Sequence, residues 1–154
     1  MKIAIKYGLM ITAVVVVWVV VIRFLLDVAP DSKAHLLTPI LFNVTSIVAI
    51  LQGMRARKAE LDGDLRFKEG IKAGMGISLV YAISACLFFV IEFLVAGPRL
   101  LMSEAGAEGG PMWKVAAFAF AGLFLGSLVF GMIYSTIIAF FVARRLPRES
   151  NEII

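Results

Sequence analysis

The stretch from Ile71 to Val95 reads IKAGMGISLVYAISACLFFVIEFLV, with no charge between Lys72 near its start and Glu92 near its end. At 1.5 Å per residue it is long enough to cross a hydrocarbon core ~30 Å thick. A segment this apolar has lipid as its natural solvent. Three further runs, 5–26, 36–54 and 113–142, read the same way. Together the four cover 96 of the 154 residues. The expectation is an all-α polytopic membrane protein, one domain over 1–154, with four transmembrane helices in an antiparallel bundle.

Composition supports that class. Hydrophobic residues make up 61% and charged residues 17%, where a soluble domain has about half and about a quarter. The net charge of +4 does not point to nucleic acid, because the bases gather at the ends of apolar runs and in one connection, where they orient spans. Cys86 is alone and lies mid-run, so it makes no internal disulfide and reads as a small inert thiol. Lys2 and Lys6 ahead of an apolar stretch imitate a signal peptide. The stretch exceeds an h-region of ~7–15 residues, and a cut after Ala29 would leave Pro30 first. The run is read as a retained span.

The flanks predict orientation. One side of the four spans holds Lys2, Lys6, Arg55, Arg57, Lys58, Arg66, Lys68, Lys72, Arg144, Arg145 and Arg148; the other holds Arg23, Lys33, Arg99 and Lys114. Short loops rich in Lys and Arg stay cytoplasmic. Both termini and the connection 55–70 are therefore expected inside, and the connections 27–35 and 96–112 outside. The inner connection, with Asp62-Gly63-Asp64 as its turn, reads as a solvated hairpin link snorkelling to phosphates. The sharper reading makes Arg55, Arg57, Lys58, Arg66, Lys68, Arg144 and Arg145 a docking site for anionic lipid or a partner. Lys6 with Tyr7, and Trp113 with Lys114, read as interfacial anchors.

Small residues recur every fourth position on two runs: Gly70, Gly74, Ser78, Ala82 and Cys86 on the third, and Ser127, Gly131, Ser135, Ala139 and Ala143 on the fourth. Four-residue spacing lines them along one helix face, where missing bulk lets two backbones approach. The two stripes are expected to pack together. Gly122 and Gly126 form a further pair that serves either this contact or a homodimer seam on another face.

The octet Ile5-Lys6-Tyr7-Gly8-Leu9-Met10-Ile11-Thr12 rhymes with Ile71-Lys72-Ala73-Gly74-Met75-Gly76-Ile77-Ser78. The match suggests a duplicated helical hairpin, two halves related by an axis along the membrane normal. In that frame Arg23 and Glu92 fall at one depth, about one turn below the outer surface. An ionised group costs ~2.5–3.5 kcal/mol at mid-bilayer and less near the interface. The two are expected either to meet, with Asp27 competing for Arg23, or to snorkel separately to water. Asn43 needs an interhelical partner or a wet cavity, and Pro39 beside it offers a kink.

The segments Gly53-Met54-Arg55-Ala56-Arg57-Lys58 and Leu65-Arg66-Phe67-Lys68-Glu69-Gly70-Ile71-Lys72-Ala73-Gly74 carry a resemblance. The chain resembles a bacterial four-span membrane family catalogued as domain of unknown function 4199. That family has no assigned activity, so the resemblance implies a bacterial inner-membrane location and no catalytic residues.

No Ser/His pair, acid pair or metal set lies at a common depth, so neither an enzyme nor a cofactor or metal site is expected. Two readings remain. The first is a structural or accessory subunit that packs with lipid, with itself or in a larger complex, favoured by short loops and few polar groups at the midplane. The second is a minimal ion or solute transporter using Arg23, Asn43 and Glu92. Small multidrug exporters share only the size, since their membrane acid lies in the first span and this first span has none.

Overall fold

The computed structural model describes residues 1–22, 26, 37–96 and 111–143. Four helices, α1 (Lys2–Val20), α2 (Leu37–Glu60), α3 (Phe67–Ala96) and α4 (Met112–Val142), pack side by side. Each is long and apolar enough to cross a membrane. Much of the apolar surface points outward: Phe118 is 78% exposed and Phe141 67%. In water such a surface would drive aggregation; in lipid it costs nothing. Residues 27–36 and 97–110, which make up most of the other two connections, fall outside the described residues.

Helix α3 is the hub, making the most extensive contacts with α1 and α4, although α2 also touches all three other helices. Its apolar interior face is made by Ile77, Tyr81 and Ala85, which join Ile11 and Val15 of α1, Ala49, Ile50 and Met54 of α2, and Ile138 and Ala139 of α4. Helices α1 and α4 sit at opposite corners and make no contact among the described residues. A two-fold axis relating the hairpins would map the α2–α3 contact onto α4–α1. The first exists and the second does not, so the packing lacks the symmetry that a duplicated hairpin predicts.

The connection between α2 and α3 is shorter than the hydropathy suggested. Helix α2 runs on through Arg55, Arg57 and Lys58 to Glu60, and α3 begins at Phe67. The residues 55–60 are mostly good helix formers, and Arg57 pairs with Glu60 at 2.7 Å on the same face. The helix then stops in a Schellman motif. The Gly63 amide donates to the Lys58 carbonyl at 2.9 Å and the Asp62 amide to the Ala59 carbonyl at 3.3 Å. Asp62, at φ 50°, occupies the left-handed position, which Asp tolerates better than bulkier side chains. Glu69 accepts from the Arg66 amide at 3.2 Å, closing the first turn of α3. The ammonium of Lys58 donates to the Val142 carbonyl at 2.7 Å, tying α2 to the C-terminal end of α4, where carbonyls lack helical partners.

The C-terminal end of α1 departs from a regular helix. Val21 and Ile22 adopt a π-helical turn, and the Leu26 amide donates to the Val21 carbonyl at 3.0 Å. Pro39 occupies the first turn of α2 as described, where its missing N–H costs no helical bond and requires no kink.

Candidate functional site

The two small-residue stripes meet in antiparallel register. A methyl group placed on Gly70 would lie 3.0 Å from Cβ of Ala139. On Gly74 it would run into Cβ of Ser135 at 2.7 Å, and on Gly131 it would overlap the Ser78 side chain. Each step of four along α3 thus meets a step of four along α4. Ala82, the next residue up, is fully buried, and Ser127 nearly so. The Ser78 and Ser127 hydroxyls enter this interface without cost because their own helix supplies an acceptor, whereas that of Ser135 is buried there with no hydrogen-bond partner. Ser78 donates to the Gly74 carbonyl at 3.1 Å, and Ser127 to the Leu123 carbonyl at 2.6 Å. Ser135 is wholly buried against Gly74.

The pair Gly122 and Gly126 belongs elsewhere. Nothing lies within 4 Å of a methyl group placed on either. Their face of α4 turns away from the α3 contact, toward the surface.

A parallel contact joins α1 to α3. Ala4 faces Gly76, Gly8 faces Val80, and Thr12 shares a 2.5 Å hydrogen bond with Ser84. Both hydroxyls also reach their own helix, Thr12 to the Gly8 carbonyl at 3.2 Å and Ser84 to that of Val80 at 2.8 Å. Trp18 is drawn into a further interhelical bond, its Nε1 donating to Thr38 Oγ1 of α2 at 3.0 Å.

Near the middle of the bundle, five hydroxyl-bearing residues, Ser46 of α2, Ser78 and Tyr81 of α3, and Ser127 and Tyr134 of α4, border one small cavity whose wall is mostly apolar. Phe42 closes one side, edge-on to Tyr81 with ring centroids 5.1 Å apart. Tyr134 donates to Asn43 Oδ1 at 2.5 Å, and Asn43 Nδ2 donates to the Pro39 carbonyl at 2.8 Å. Asn43 therefore has its interhelical partner. The α2–α3–α4 hydroxyl cluster escaped the sequence reading, which found few polar groups at the midplane. A signal was present: Tyr81 and Tyr134 each lie three residues past a stripe position, Ser78 and Gly131.

The Asn43–Tyr134 bond is measurable. Interhelical hydrogen bonds in membranes average about 0.6 kcal/mol with a ceiling near 1.7 kcal/mol. A double-mutant cycle of Asn43→Leu and Tyr134→Phe, read by reversible unfolding in bicelles, is expected to give a coupling of about 1 kcal/mol. A coupling indistinguishable from zero would remove the bond from the stability of the bundle.

The remaining sequence candidates are scattered. Glu92 is partly buried near the C-terminal end of α3 and engages in a contact of its own. Arg23 and Asp27, and with them the predicted meeting with Glu92, fall outside the described residues, as do Arg144 and Arg145. Arg55, Arg66 and Lys68 are exposed around the α2–α3 connection, whereas Arg57 and Lys58 have the partners given above. The Lys6 ammonium lies 5.4 Å from the Tyr7 ring and that of Lys114 5.6 Å from the Trp113 ring, within cation–π range. Among the described residues, no three His, Cys, Asp or Glu side chains gather closely enough to hold a metal ion.

Four membrane-length helices packed side by side, two of them joined by glycine–serine contacts, define an integral membrane helix bundle. Within that class the chain belongs to the family described as protein of unknown function (DUF4199), whose pattern matches residues 6–144. No curated protein and no solved structure matches it.

Proposed function

We propose that this is a non-catalytic, multi-pass protein of the bacterial cytoplasmic membrane, a structural or accessory subunit of a homo- or hetero-oligomeric complex. The observation that carries the reading is how the bundle spends its polar groups. Asn43, Tyr134, Thr12, Ser84, Trp18 and Thr38 bond one helix to another, and the small side chains are consumed in backbone approach. The chemistry of the interior is cohesion. The outer surface is where further contact is available, above all on α4, of whose apolar window only 11% is buried. The charge asymmetry of the flanks supports an orientation with both termini and the 55–70 connection cytoplasmic; accessibility of single cysteines at Asp62 and Trp113 to an impermeant thiol reagent tests it.

The subunit reading predicts that affinity purification in mild detergent recovers the protein with stoichiometric partners or as a defined oligomer. A monomer with no companion would overturn it. Gly126→Ile separates the two assemblies. If the Gly122–Gly126 face is a homodimer seam, the substitution reduces the dimer while the fold persists, since the site is open within one chain. An unchanged oligomer places the contact elsewhere. The transporter reading draws on Glu92, an acid inside an apolar helix. Glu92→Gln distinguishes them: a subunit loses assembly or stability, whereas a transporter stays folded and loses coupling.

A further inference from the structure

The charges at the α2–α3 end of the bundle are sorted by depth. Helix α1 runs beside α3 with Ala4 against Gly76 and Gly8 against Val80, so Lys2 and Lys6 stand level with Gly74 and Ser78. Gly53 of α2 meets Ile77 and Tyr7, and from there α2 carries Arg55, Arg57 and Lys58 to the level of Lys72 on α3. Bases from three helices thus share a layer about 9 Å thick, the rise of six helical residues. No acid of the described residues falls within it. Glu60, Asp62, Asp64 and Glu69 lie further out, in one tier with Arg66 and Lys68. A merely solvated link has no reason to separate its signs in this way.

Within the cationic layer, Arg57 pairs with Glu60 and Lys58 is held by the Val142 carbonyl. Lys2, Lys6, Arg55 and Lys72 are exposed and make no ion pair with a described residue. Each of these four stands at the end of an exposed apolar stripe. On α1, Lys6 is followed at helical spacing by Met10 and Val17, and Lys2 by Leu9. On α2, Val44 and Val48 lead along one face to Arg55, and on α3 Lys72 leads to Leu79, Ile83 and Val90. A cation above an apolar wall complements one kind of amphiphile, an anionic headgroup with acyl chains beneath it. A soluble acidic protein would match the charges and leave the walls unused. We propose that this layer is a binding surface for anionic phospholipid, whose phosphate sits against Lys2, Lys6, Arg55 and Lys72 while its acyl chains lie along the stripes they terminate. Anionic lipid binds here whichever way the bundle faces and whatever it assembles with.

The test uses the full chain in phosphatidylcholine vesicles with trace spin-labelled phosphatidylglycerol or spin-labelled phosphatidylcholine. Electron paramagnetic resonance gives the fraction of each lipid held at the protein surface. Phosphatidylglycerol should associate about fivefold more strongly at low salt, the effect of one base in contact. The preference should shrink toward one in 1 M salt, where the Debye length is about 3 Å. A variant combining Lys2→Gln, Lys6→Gln, Arg55→Gln and Lys72→Gln should lose most of the preference, and one combining Arg66→Gln and Lys68→Gln should keep it. Equal association of the two lipids with the unaltered protein would overturn the surface and leave these cations to an acidic protein. A preference that survives the first variant, or that follows Arg66 and Lys68, would overturn it as well. Should the first variant fail to fold, its four single substitutions decide, and a preference unchanged in all of them would overturn the proposal.

Discussion

Gly131→Val should cost the bundle at least about 3 kcal/mol, the upper part of the range for overpacked cores, and should separate α3 from α4. Even the first added carbon of the new side chain overlaps the Ser78 Oγ and Cβ. Rotating the serine hydroxyl clears only one of those atoms, because Cβ moves only with the backbone. The helices must part, and the contacts at Gly74–Ser135 and Gly70–Ala139 lie on the same seam. Gly126→Val, five residues away on the same helix, supplies the control. Its site is open, so the change should fall within about 0.5 kcal/mol, as for surface substitutions generally. Unfolding in bicelles measures both. The sharper version exchanges the small residue across the seam. Gly131→Ala should destabilise, and adding Ser78→Gly should recover a substantial part of the loss by returning the space. Equal costs for Gly131→Val and Gly126→Val would mean that the seam carries no special weight.

That pair of glycines also shows what the sequence could and could not disclose. The four spans are legible because lipid demands an unbroken apolar run, and a run can be counted along the chain. The α3–α4 stripe is legible for a related reason: a four-residue period is a face, and two such faces on neighbouring antiparallel helices have few other places to go. Direction around the helix is harder. Gly126 precedes Ser127 by one residue, about 100° around the helix, and that step separates a buried position from a half-buried one with open space beside it. Spacing alone did not say which.

The polar network was hidden for another physical reason. Whether Tyr81 faces Ser127, or Tyr134 reaches Asn43, depends on the rotation and height of three helices at once. A single apolar run contains none of that information. The Schellman stop at Asp62 was half visible in the Asp62-Gly63-Asp64 turn. The continuation of α2 through Arg55 to Glu60 was not, because hydropathy marks where the lipid ends and the helix does not stop there.

Gly8→Val should be the second large loss, and its pattern distinguishes this bundle from a symmetric one. A Cβ on Gly8 would lie 2.7 Å from Cβ and Cγ1 of Val80 and 2.9 Å from the Ile77 carbonyl oxygen. Two of those three atoms are fixed by the backbone of α3, so α1 must move away. One turn further along, the Thr12–Ser84 bond would break with it. Overpacking contributes about 1–3 kcal/mol and the lost bond adds about 0.6 kcal/mol or more. Gly8 and Gly74 occupy the same place in the two rhyming octets, and both mark close approaches. In a two-fold bundle Gly8 would press on α2 as Gly74 presses on α4. Gly8 instead presses on α3, because α3 is the hub. Since α1 and α4 make no contact among the described residues, releasing α1 should leave the α3–α4 seam closed. Cysteines replacing Thr12 and Ser84 should therefore lose their ability to cross-link in Gly8→Val. Cysteines replacing Gly70 and Ala139 should cross-link as in the parent protein. Loss of both links together would show that the bundle opens as one symmetric unit, and the hub arrangement would have to be abandoned.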